Sequence, residues 1–92
     1  MEFTHEKYDK VEIADITQKQ LEIFQVEMKK DRVDSLAVWR GDIVRAAINA
    51  GFFVFPIMTA DEIDGMNPRK VSWLEHCVTR VVTEALSDDP LV

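Results

Sequence analysis

One cysteine, three glycines and three prolines are spread over 92 residues, and each scarcity removes a class of protein. With Cys77 alone, no internal disulfide and no multi-cysteine metal site can form, which fits a reducing compartment. Too little Gly and Pro is present for a flexible or polyproline linker, so the chain reads as one small unit. The longest apolar stretch, residues 51–58, falls well short of the roughly 20 residues that a bilayer span needs. The opening Met1-Glu2-Phe3-Thr4-His5-Glu6 has neither the positive end nor the apolar run of a signal peptide. A cytoplasmic protein without membrane contact is expected. Basic residues are also short: 11 Lys and Arg face 17 Asp and Glu, a net charge of −6. Such a chain is poorly made to displace counterions from phosphate, so no nucleic acid partner is expected. What remains, 47% hydrophobic and 30% charged residues, is an ordinary globular balance.

Helix-start signals are the clearest positive feature. Thr17 with Gln20 three residues on, flanked by Ile16 and Leu21, spells a capping box with a hydrophobic staple and predicts a helix from Gln18. Thr59 with Glu62, flanked by Met58 and Ile63, repeats the device, and Gly65 should end that helix after a short run. Asn67 followed by Pro68 is a third start, opening a long helix to about Leu86 before Ser87-Asp88-Asp89-Pro90. Asp34 or Ser35 can cap a further segment, Leu36 to Ala50, that Gly51 terminates; its stripe comprises Leu36, Trp39, Ile43, Ala47 and Ala50, widened by Val44 and Ile48. Gly41 inside this segment implies a kink or a close approach.

Residues 1–14 lack a helical period. Val11 and Ile13 alternate with Lys10 and Glu12, but no clear partner strand follows, so the expectation is an extended N-terminal arm ahead of a single helical domain, 15–92. Pairing of Val11–Ile13 with the Phe-rich segment 51–56 is the one route to a small sheet. The fold expected is therefore all-α or mostly α, with three long helices and one short one.

No catalytic constellation is legible, and an enzyme is not expected. His76 and Cys77 are neighbours that a helix turns about 100° apart, so they cannot act as base and nucleophile. Cys77 reads as a small core hydrophobe. Neither His5 nor His76 has the spacing of a metal pair, Asp61 and Glu62 suit the first turn of a helix, and no cofactor motif occurs. Arg40-Gly41-Asp42 lies inside a predicted helix and is read as coincidence. A helix-turn-helix would have only Arg69, Lys70 and Arg80 against Glu75 and Glu84 on its last helix.

Apolar excess points to binding. Four consecutive large residues, Phe52, Phe53, Val54 and Phe55, cannot all face inward, so two are expected in the core and the rest at a contact, with Phe53 or Phe55 at its centre. Ile23 and Val26 lie off the Leu21, Phe24 and Met28 stripe of the first helix, and Trp73 is a typical interface anchor. These five, Phe53, Phe55, Ile23, Val26 and Trp73, are the candidate partner-binding residues, for a protein partner or for self-association into a homo-oligomer.

From Trp39 onward, the run Ala46-Ala47-Ile48-Asn49-Ala50-Gly51, the Phe-rich turn, the acidic capped turn, Met66-Asn67-Pro68-Arg69-Lys70-Val71-Ser72-Trp73-Leu74 and the closing Ala85-Leu86 before Asp89-Pro90 resemble the tail assembly chaperones of long-tailed bacteriophages. The resemblance covers a little over half of the chain and carries over no functional residue. It implies a non-enzymatic chaperone that coats an apolar, aggregation-prone helical partner, the tape measure protein, and recruits tail subunits. Two rival functions are an acidic inhibitor or antidote that neutralises a basic partner, supported by the charge of −6, and a nucleic-acid-linked regulator.

Overall fold

The computed structural model describes residues 1–28 and 36–86, with the backbone alone at 36–40. Its elements run β1 (Glu2–His5), β2 (Tyr8–Ile13), α1 (Gln18–Met28), α2 (Leu36–Asn49), β3 (Phe53–Phe55), a 3-10 helix (Ala60–Gly65) and α3 (Pro68–Leu86). The strands form an antiparallel sheet in the order β1-β2-β3. The fold is thus a mix of helix and sheet, which overturns the all-α expectation, and residues 2–13 form a hairpin where an extended arm was expected.

The hairpin turns through Glu6 and Lys7, with His5 paired to Tyr8. That loop has none of the Asn-Gly or Asp-Gly chemistry that marks two-residue hairpins in a sequence; a local bond, Lys7 N–H donating to His5 Nδ1 at 3.0 Å, helps to close it. Met1 extends the ladder, its amino group donating to the Ile13 carbonyl at 2.7 Å and its carbonyl accepting from Ile13 N–H at 2.9 Å. Pairing of Glu12 with Phe55 and of Ile13 with Phe53 then adds β3 across some forty residues of sequence. Alternation along β2 sends Val11 and Ile13 into the core, while Lys10 stays outside and pairs with Glu2 at 3.6 Å.

The helix starts lie where the capping signals put them. Gln20 N–H donates to Thr17 Oγ1 at 3.1 Å and Thr17 N–H donates to Gln20 Oε1 at 2.9 Å, a complete reciprocal box at α1. Thr59 N–H donates to Glu62 Oε2 at 2.8 Å, and Arg69 N–H to Asn67 Oδ1 at 2.8 Å. The end of α2 is a Schellman turn: Gly51 adopts φ +79°, its N–H donates to Ile48 O, and Phe52 N–H donates to Ala47 O. Gln20 also reaches this turn, its Nε2 donating to Gly51 O at 3.1 Å, so one side chain caps α1 and fastens it to α2. The expected caps Asp34 and Ser35 and the segment 87–92 lie outside the described residues, as do the side chains of Leu36, Trp39 and Arg40.

Helix α2 is central, packing on α1, on α3 and on the 3-10 helix. Small residues on its buried face, Ala46, Ala47 and Ala50, let its neighbours approach closely. Gly41 is crowded by its own helix: a Cβ there would lie 2.9 Å from Arg45 Nη1. Arg45 in turn bonds Asp42 at 3.2 Å and Asp64 of the 3-10 helix, tying the two elements together. Val71, Leu74, Val78 and Val81, with Cys77 beside them, form the buried stripe of α3, which lies against β2. Phe52 fills the centre, fully buried and stacked on Phe24 with ring centroids 5.2 Å apart.

Candidate functional site

The Phe-rich segment divides at β3. Phe52 is core and Phe53 is half-buried against it, whereas Val54 and Phe55 are 46% and 48% exposed and Ile57, just beyond, is 89% exposed. The register irregularity between Glu12 and Ile13 accounts for this division, because a bulge breaks strict alternation and leaves two successive residues on the accessible side. Among the described residues strand β3 is also an edge of the sheet, with one side of its backbone unpaired by any strand.

Ile57 leads into a cleft of about 280 Å³ that it shares with Pro56, Met58, Met66, Leu74 and Trp73, with Tyr8 and Val11 contributed by the hairpin. The cleft exists because α3 turns Lys70, Trp73 and Leu74 toward the hairpin, with Met66, the residue that ends the 3-10 helix, beside them. Asp9, Glu62 and Lys70 border it. On the other side of Trp73 is a second, more open cleft of about 370 Å³, walled by His5, Lys7, Tyr8, Arg69 and Ser72.

Trp73 is the partition between them and the centre of an aromatic cluster. Phe3 meets it edge-on at 6.4 Å, His5 lies at 5.0 Å and His76 is stacked at 6.0 Å, while His5 also contacts Tyr8 at 4.7 Å. Its indole Nε1 is buried without a hydrogen-bond partner. An orphan indole donor carries a desolvation cost that most proteins avoid.

The five residues proposed from sequence do not form one patch. Trp73 borders both clefts, and Phe55 adjoins Pro56 at the cleft mouth; Phe53 packs inward; Ile23 is half-buried against the core; Val26 is 58% exposed on α1, and neither α1 residue lines either cleft. Residues that the sequence reading missed are Ile57, Tyr8, His5 and Lys7. The last three sit in the segment taken for an arm, so nothing placed them beside α3. Arg69 and Trp73 are four residues apart, a spacing that stacks them on one helical face and was available as a signal.

Cys77 is fully buried, and desolvation pushes its thiol from 9.0 up to about 12 against an opposing backbone hydrogen bond, so it is a protonated core side chain at neutral pH. No helix among the described residues is long and apolar enough to cross a membrane. Comparisons of the chain with protein-family models, with curated proteins and with solved structures find no match.

Proposed function

We propose that the chain is a non-enzymatic protein-interaction module that docks a partner along the surface running from β3 into the Trp73 cleft. The observation that carries this reading is the exposed series Val54, Phe55 and Ile57, which leads at a free sheet edge into an apolar cleft. Exposed apolar residues that are contiguous with a concave site mark binding surfaces, whereas scattered ones do not. The resemblance to tail assembly chaperones supplies the form of the partner, an apolar helix. The rival reading as an antidote for a basic partner draws on net charge alone, and the cations around Trp73 oppose it.

A labelled neutral amphipathic helix of Leu, Ala and Gln is a direct probe, read by fluorescence anisotropy, with sedimentation as the measure of self-association. Binding or self-association should be lost in the double variant Phe55→Ser/Ile57→Ser, while its circular dichroism and urea midpoint stay close to those of the parent. A chain that is monomeric at high concentration and leaves the probe free refutes the reading, as does unfolding of the double variant.

A further inference from the structure

The charges of this molecule are distributed unevenly around Trp73. Seven cationic Lys and Arg side chains lie among the described residues, and Lys10, Arg45 and Arg80 are ion-paired. Four have no carboxylate partner there: Lys19, exposed on α1, and Lys7, Arg69 and Lys70, which all border the two clefts. In a chain with 17 acids and 11 bases, unpaired cations gathered at one place run against the average. Among the described residues, the larger cleft has no carboxylate in its wall. Asp9 and Glu62, the latter capping Thr59, keep their charge beside Lys70 at the apolar cleft, so the cationic side of Trp73 is the open cleft with Lys7 and Arg69.

Resting on the reading of this chain as an interaction module, we infer that the segment it captures carries one or two carboxylates beside an apolar anchor. The anchor fills the cleft between Ile57, Met66 and Trp73. The carboxylates reach across Trp73 to Lys7 and Arg69, which lie on the hairpin turn and the first turn of α3. The net charge of −6 then works as selection: it repels acidic proteins in general, and only one that presents its acids at this face gains by docking. The partner is thus acidic at the contact although the module itself is acidic.

Three versions of the amphipathic helix test this: neutral, with two Glu flanking the apolar stripe, and with two Lys at the same positions. The Glu version should bind roughly three- to tenfold more tightly than the neutral one at low salt, the yield of two solvent-accessible ion pairs, and the advantage should shrink as salt is added. The double reversal Lys7→Glu/Arg69→Glu, at exposed positions that leave the core untouched, should invert the order so that the Lys version binds best. Equal binding of all three peptides, or preference of the parent chain for the Lys version, overturns the inference while leaving the module reading in place. Failure of every peptide to bind, with the chain monomeric, removes the module reading itself and the inference with it. Retention of the Glu preference in the reversed variant also overturns the assignment, since the charges would then act elsewhere.

Discussion

Phe52 and Phe55 are three residues apart, are chemically identical, and have opposite environments. Phe52 is fully buried against Phe24, whereas Phe55 is 48% exposed at the edge of the sheet. From the helix-terminating turn at Gly51, just ahead of Phe52, the backbone runs into a strand with a bulge ahead of Phe55. Hydrophobicity alone would treat the two alike; position relative to the turn and the bulge separates them. The same contrast holds for the two faces of the molecule, one closed by α2 and α3 over close-packed side chains, the other open along residues 54–57 and the Trp73 clefts.

The comparison can be broken by substitution. Phe52→Ala should destabilise the chain by about 3–5 kcal/mol, since it leaves a cavity under Phe24 that packed helices cannot fill. Phe55→Ala should cost under about 1 kcal/mol. Urea midpoints measure both, and similar losses would mean that Phe55 is part of the core. Next in size, Gly51→Ala should cost about 1–2 kcal/mol, because φ +79° is a left-handed conformation that a Cβ opposes. That loss should also loosen Gln20, which bonds the Gly51 carbonyl. Backbone exchange at Gln20 and Phe52 would show whether the turn fixes where core ends and exposed edge begins.

A modest effect at neutral pH is expected at Cys77, where Ala should cost about 1 kcal/mol. The alkaline response is more informative. An acid whose pKa is raised on folding contributes stability that is complete below the unfolded pKa and is lost as pH rises. The unfolded chain releases the thiol proton above about 9, whereas the folded chain holds it to about 12. Stability should therefore fall across that window in the parent, and the slope should be reduced in Cys77→Ala. Rapid stoichiometric reaction of the native thiol at neutral pH would contradict the buried placement.

Local grammar was readable in the sequence wherever a short-range bond decides the structure. Thr17 with Gln20, Thr59 with Glu62, Asn67 with Pro68, and Gly51 at the end of α2 each act within a few residues, and α1, the 3-10 helix and α3 start at Gln18, Ala60 and Pro68. The hairpin was not readable for the same reason in reverse. Glu6 and Lys7 are no turn signature, β1 is four residues long with a largely polar pattern, and neither strand holds a shape without the other. The candidate site inherits that gap: Trp73 and Arg69 could be noted on one helix face, but Tyr8, His5 and Lys7 reach them only through the sheet.

The sequence by itself determined where α1, the 3-10 helix and α3 begin and where α2 ends, because capping bonds are set by neighbours in the chain. Only the tertiary structure decided that residues 2–13 are strands and that Lys7 of the hairpin lies near Arg69 and Lys70 of α3 around Trp73. Those outcomes depend on pairing β2 with β3 across some forty residues, which the alternation at Val11 and Ile13 offered only as an alternative to an extended arm, and on laying α3 against β2, because contacts of that span are weakly marked in the local order of residues.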